Sequence, residues 1–257
     1  MSRTVFLLAI VYFLLVEIAI ILHSPQGPTF FRPFGNTARA IRPRAQLEPE
    51  PQMPDYTGEQ IVYDVKMGAV RIGTSTFHHR QRVAYNGSDA HLVVFTTKAV
   101  KIQDTETIWA DTKEFLPLRI ERDVRMWPKY EQITEVYDQQ ARSLNITKTA
   151  GNRQETSRIV KDGPIHNAIL LPYQVRRIPD LAPGWSMKVA LPTQEFEIRL
   201  KAIDEVNVPA GTFKAFYFES EPKRFEIWVS ADDRRIPVKI RGSSGLNYTM
   251  AMRSYSK

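Results

Sequence analysis

Residues 195–203, "EFEIRLKAI", decide the fold class. Phe196, Ile198, Leu200 and Ala202 share one parity, while Glu195, Glu197, Arg199 and Lys201 share the other. Side chains of an extended strand alternate between faces, so this stretch reads as a strand with one buried and one solvated side. The 3.6-residue period of a helix would mix the two sets.

The same period recurs outward in both directions. In "QIVYDVKM", Ile61, Tyr63, Val65 and Met67 lie on one face. Further strands are expected at Val70–His79, His91–Val100, Thr105–Ala110, Leu118–Val124, Glu131–Tyr137, Ser143–Lys148 and Glu155–Val160. Later ones follow at Ser186–Leu191, Thr212–Ser220, Phe225–Ser230, Pro237–Arg241 and Asn247–Ser254. Turn formers such as Asn86-Gly87, Gly151-Asn152 and Ala210-Gly211 separate them. About a dozen short strands without a long helical pattern predict an all-β fold, an antiparallel β-barrel or half-barrel. One stretch departs from this, "IHNAILLPYQVRR" (Ile165 to Arg177). It allows a short helix, interrupted at Pro172, that caps one end of the sheet or forms a lid.

The densest cluster of reactive side chains is "IWVSADDRRIPVKI", Ile227 to Ile240. It has a counterpart in "IWADTKEFLPLRI", Ile108 to Ile120. Each runs Ile-Trp, a polar turn with Asp, an apolar residue, Pro, an apolar residue, a basic residue and Ile. A catalytic loop has no reason to occur twice in such similar form; a hairpin does. Asp111 and Asp232-Asp233 are expected to shape the turns through side-chain-to-backbone hydrogen bonds, and Pro117 and Pro237 to open the following strands. Arg234 and Arg235 are expected on the solvated side, pairing loosely with the aspartates.

Together with "GEQIVYDVKMGAVRIGTSTF", "LPLRIERDV" and "VPAGTFKAFYFES", these passages resemble the domain of unknown function 3108 family, in the right order from about Gly58 to Tyr255. The resemblance implies an exported bacterial β-rich protein with a mostly antiparallel, barrel-like or half-barrel fold. It implies no reaction and carries over no catalytic residue.

Ahead of the β region the pattern changes. Val5 to Leu22, "VFLLAIVYFLLVEIAIIL", is apolar except for Glu17 and follows Arg3. Its length and the lack of small residues at cleavage spacing predict an N-terminal transmembrane helix over residues 1–23, an uncleaved signal anchor; a removed signal peptide is the alternative. Seven prolines from Pro25 to Pro54 make residues 24–57 an extended Pro-rich linker. Residues 58–257 form the antiparallel β domain. The expected location is the inner membrane, single-pass, with the β domain facing the periplasm, or a secreted periplasmic protein if the signal is cut.

The chain's net charge is +7, about +6 of it after residue 57. That excess favours anionic surfaces, but no long basic block marks nucleic-acid binding, and none is expected. The absence of cysteine excludes disulfides, thiolate metal sites and Cys nucleophiles. His78 and His79 point to opposite faces of a strand and cannot chelate one ion; His91 could join one of them only across strands, and His166 has no spaced partner. Asp104 and Glu106 share a face, as paired catalytic carboxylates can, and so do Glu195 and Glu197, where interleaved Lys and Arg indicate a solvated face. Gly242-Ser243-Ser244-Gly245 lacks nucleophile-elbow spacing, and no phosphate or dinucleotide motif occurs. No catalytic residue, metal site or cofactor is therefore expected. In "FKAFYF", Phe216 and Phe218 share one face and Phe213 and Tyr217 the other, either packing a core or lining a cavity for an apolar ligand. The expectation is a non-enzymatic, membrane-anchored envelope protein that binds or transfers an apolar ligand such as a lipid. The alternative is an assembly protein that holds another envelope component.

Overall fold

The computed structural model describes residues 55–242 and 247–257; the expected anchor and nearly all of the linker lie outside them. Fifteen strands follow the period-two stretches closely. The first five are β1 (Gln60–Met67), β2 (Val70–His79), β3 (Val83–Tyr85), β4 (Ser88–Ala99) and β5 (Ile102–Asp111). Next come β6 (Pro117–Met126), β7 (Lys129–Asp138), β8 (Ser143–Ala150), β9 (Arg153–Val160) and β10 (Ser186–Ala190). The last are β11 (Glu195–Val208), β12 (Gly211–Glu221), β13 (Phe225–Ser230), β14 (Pro237–Gly242) and β15 (Tyr248–Ser256). A helix, α1 (Leu171–Arg176), lies between β9 and β10. Only the short β3 had no expected counterpart.

All the strands pair antiparallel in one sheet, ordered β10–β15, β1, β2, β4–β9, with β3 paired to β4. The first and last strands lie side by side, Ile61 against Tyr255 and Met67 against Tyr248. The sheet is thus a continuous meander whose edges are β9 and β10. Those edges do not pair with each other, so the fold is an open, curled sheet and not the closed barrel that was one of two expectations. The segment joining the edges, residues 161–185, carries α1.

All six residues of α1 are buried. The helix is therefore a plug inside the curl, not a cover laid over it. Pro172 does not interrupt it; it occupies the first turn, where a missing N–H costs no hydrogen bond. The Asn167 side-chain oxygen accepts from the Ile169 N–H at 2.8 Å and the Leu170 N–H at 3.3 Å, turning the chain into the helix.

The two repeated passages are hairpins, β5–β6 and β13–β14, and their likeness extends to backbone detail. Each has a register shift after its Trp, between Trp109 and Ala110 and between Trp228 and Val229. In each, the residue two before the proline has positive φ, Phe115 at 58° and Arg235 at 47°. Asp111 accepts from the N–H groups of Lys113, Glu114 and Leu116 at 2.6–2.8 Å. Asp232 accepts from the Arg235 N–H at 3.2 Å and from Ser230 Oγ at 2.6 Å. These are turns, as their Asp and Pro residues indicated.

Both turns also grip α1. Phe115 stacks on Tyr173 with centroids 5.3 Å apart, while Gln174 Nε2 donates to the Phe115 carbonyl at 3.2 Å. Arg235 does not lie on the solvated side with the aspartates: its guanidinium donates to the carbonyls of Arg176 and Ile178 at the end of the helix. Arg234 does pair with Asp232, at 2.7 Å. Arg176 completes the clasp, with both terminal nitrogens 2.6 Å from Glu59 and the guanidinium carbon 4.1 Å from the Tyr56 ring centroid. This ion pair is almost wholly buried, and losing either partner would strand a charge in the core.

Candidate functional site

The end of the curl nearest the two turns is filled by rings. His79 and His91, which the sequence could join only across strands, meet there with Nε2 and Nδ1 3.0 Å apart. His91 stacks on Phe115 at 4.1 Å. Burial, then the neighbouring His79, holds the His91 pKa down at about 3, and burial lowers His79 as well, so both rings are neutral near pH 7. Two neutral imidazoles share one hydrogen bond, one donating and one accepting. Among the described residues, no group of three His, Asp or Glu is placed to hold a metal ion.

The opposite end is different. Strands β1, β2, β4–β7 and β13–β15 surround a cavity of about 190 Å³, floored by Ile169, Leu171 and Pro172 around the start of α1. One wall is apolar, with Val65, Phe77, Phe95, Ile227, Ile240 and Met250. The other, on β5, β6 and β7, carries Asp104, Glu106, Arg122, Glu135 and Tyr137. Leu191 to Gln194, which form the β10–β11 turn, and Arg224 and Phe225, where the β12–β13 turn enters β13, line its rim.

The polar wall follows from strand register. Glu106 and Arg122 are directly opposed across β5 and β6, and Glu135 of β7 faces Ile120, one pleat along β6. Arg122 Nε and Nη2 donate to both oxygens of Asp104 at 2.9 and 2.6 Å, and Nε lies 3.5 Å from Glu106. Tyr137 donates to Glu135. All five side chains are buried. Burial raises the Glu106 pKa to about 8 against the pull of Arg122, with Asp104 and Glu135 adding to the rise. Burial also raises Glu135. Burial opposes the Arg122 charge, but Glu106 and Asp104 outweigh it and keep the guanidinium protonated. At neutral pH the wall thus combines a charge-paired Asp104–Arg122 couple with a Glu106 carboxyl that keeps its proton and can both donate and accept.

Asp104 and Glu106 therefore do share a buried face, joined by Arg122 and Glu135, which sequence reasoning missed. The signal was present: Asp104 and Glu106 lie in phase with Ile102 and Ile108, Arg122 with Ile120 and Val124, and Glu135 with Ile133 and Tyr137. Three neighbouring strands each carry charge on their apolar face. By contrast, Glu195 is exposed and Glu197 pairs with Arg199 at 2.7 Å on the solvated face, as expected. Phe216 and Phe218 are core residues. Tyr217 stacks on Trp228 on the outer face, with centroids 4.9 Å apart, and its hydroxyl donates to Glu226 at 2.6 Å. The aromatics of "FKAFYF" do not line the cavity.

No curated protein matches the chain. Two solved structures resemble it at low sequence identity. One is a β-barrel-like protein of domain of unknown function DUF1849 from Brucella abortus, 6% identical, with a TM-score of 0.47 over 77% of this chain and 96% of that one. The other is a putative exported protein with a YmcC-like fold from Bacteroides fragilis, 10% identical, with a TM-score of 0.33 over 80% of this chain and 98% of that one. Residues 62–253 match the family described as Protein of unknown function (DUF3108), and the chain belongs to that family.

Proposed function

We propose that this protein is a non-enzymatic envelope protein that binds one end of an amphipathic ligand in the cavity of its curled sheet. The observation that carries the reading is the two-sided wall: six apolar side chains face a buried Asp104–Arg122–Glu106–Glu135 network across one space. The size sets what fits. At about 190 Å³ the space is somewhat larger than the roughly 150 Å³ cavity that takes a benzene ring, and below the roughly 300 Å³ at which drug-sized pockets begin. It suits the end of an alkyl chain or a single ring, with the rest of the ligand outside the mouth. Glu106 and Glu135 favour a ligand carrying a hydroxyl or amine near that end. A lipid-like molecule of the envelope has this chemistry, and the expected membrane anchor and periplasmic location fit such a ligand's source.

The arrangement favours binding over catalysis because Asp104 has both oxygens engaged by Arg122. A benzophenone side chain in place of Phe225, which lines the mouth, tests the reading in the full-length protein in intact bacteria. Ultraviolet crosslinking followed by peptide mass spectrometry should show a small apolar adduct at position 225. Crosslinks to protein alone would favour the assembly role instead.

A further inference from the structure

Three successive hairpins end beside the cavity mouth: β1–β2, β4–β5 and β6–β7. Their tips share one pattern. Lys66 and Arg71 bracket "MGAV", Lys98 and Lys101 bracket "AV", and Arg125 and Lys129 bracket "MWP". None of the three brackets contains an acidic residue. Each tip turns one large apolar residue outward: Val70 is 64% exposed, Val100 67% and Trp127 75%. Lys101 lies 5.8 Å from the Trp127 ring centroid, so neighbouring tips form one surface. Arg71 also pairs with Asp64, at 3.0 Å. At the opposite end the β5–β6 and β13–β14 turns mix signs, with Asp111, Lys113 and Glu114 in one and Asp232 to Arg235 in the other; at the mouth the β12–β13 turn, Glu221 to Arg224, does so as well.

An exposed Trp and valines ringed by cations have little to gain from water. At a bilayer interface the apolar tips enter the headgroup layer while Lys and Arg reach the phosphates. We propose that the three tips dock the cavity mouth onto an anionic phospholipid surface. The docking rests on the tips alone; the ligand reading above supplies only what the docking would serve, passage of an amphipathic molecule between bilayer and cavity. A protein surface is the less favoured occupant, because three separate tips repeat one simple pattern of cations around apolar residues instead of presenting a shaped pocket.

The absence of cysteine makes a direct test simple. Val100→Cys and, at the far end, Asp233→Cys each give a single labelling site for a polarity-sensitive fluorophore on the full-length protein. The labelled protein, reconstituted in nanodiscs of neutral phosphatidylcholine, is mixed with vesicles containing phosphatidylglycerol or only phosphatidylcholine. The expected result is a blue shift and protection from aqueous iodide at position 100, with phosphatidylglycerol only, and no change at position 233. Lys98→Glu with Lys101→Glu should weaken vesicle binding at least 25-fold, from about fivefold for each cation removed. Equal quenching at position 100 on both vesicle types overturns the proposal, and so does equal protection on both. Docking without a crosslinked adduct at position 225 would sink the ligand reading and leave the docking standing. An adduct without docking would do the reverse.

Discussion

Glu106→Gln isolates the proton that the polar wall is built around. The native pKa of about 8 lies well above the ordinary 4.5, so between those values the folded protein holds a proton that the unfolded chain releases. Stability from this group is therefore fully present below pH 4.5 and is lost as pH rises toward 8. The loss is about 1.4 kcal/mol per pH unit, and roughly 5 kcal/mol across the window. Glutamine stays neutral and removes that slope. At pH 5 the two proteins should differ little; at pH 8 the variant should be more stable by several kcal/mol. With a urea dependence of roughly 2–3 kcal/mol per molar, the midpoint difference should grow by about 1.5 M over that range. Pulse proteolysis across a urea series, on full-length protein in nanodiscs at pH 5 and pH 8, reads it directly. A midpoint difference that does not change with pH would refute the view that Glu106 is buried and protonated.

Other perturbations probe the remaining parts. Arg122→Ala leaves Asp104 buried without its cation and should cost about 3–5 kcal/mol, whereas Arg122→Met combined with Asp104→Leu should recover most of that; the same urea series decides, and a double variant no better than the single one contradicts the account. His91 titrates near 3 instead of the ordinary 6.5, so the unfolded chain gains a proton first as pH falls through 6.5, and stability should drop toward pH 3; His91→Gln should flatten that acid limb in thermal melts. Asp111→Ala and Asp232→Ala remove acceptors for turn N–H groups and should each cost about 1–2 kcal/mol without altering the adduct at position 225. If alanine at Asp232 and Asp233 leaves folding intact but abolishes the adduct, that turn has a functional role the structure does not assign it.

What was legible in the sequence follows from local geometry. Strand alternation and Asp–Pro turn chemistry act over a few residues, which is why β1, β2 and β13 fall where their patterns end. The cavity depends on something no local pattern contains, the register between strands. In "LRIERDV" alternation alone puts Arg122 on the apolar face with Ile120 and Val124, but only the pairing of β5, β6 and β7 shows that Asp104, Glu106 and Glu135 meet it there. Pro172 misled for a related reason. Proline breaks a helix interior but starts a first turn, and which role it plays depends on where burial places the helix end. Arg235 looked solvated because the helix that its guanidinium reaches lies more than fifty residues away in the chain.

The pairing of β1 with β15 has a consequence for how the molecule is made. The centre of the sheet is a seam between its most distant residues, Gln60 against Ser256, while each half is a run of local hairpins. Halves rich in near-neighbour contacts can form early, but the seam must wait for the final strand, and non-local closure is the slow kind. Tyr63 of β1 donates to the Pro237 carbonyl of β14 at 2.6 Å, a second link between the two halves that reaches past the final strand. A chain released before β15 would have two half-sheets, each with an unpaired inner edge, and nothing to close the wall of the cavity.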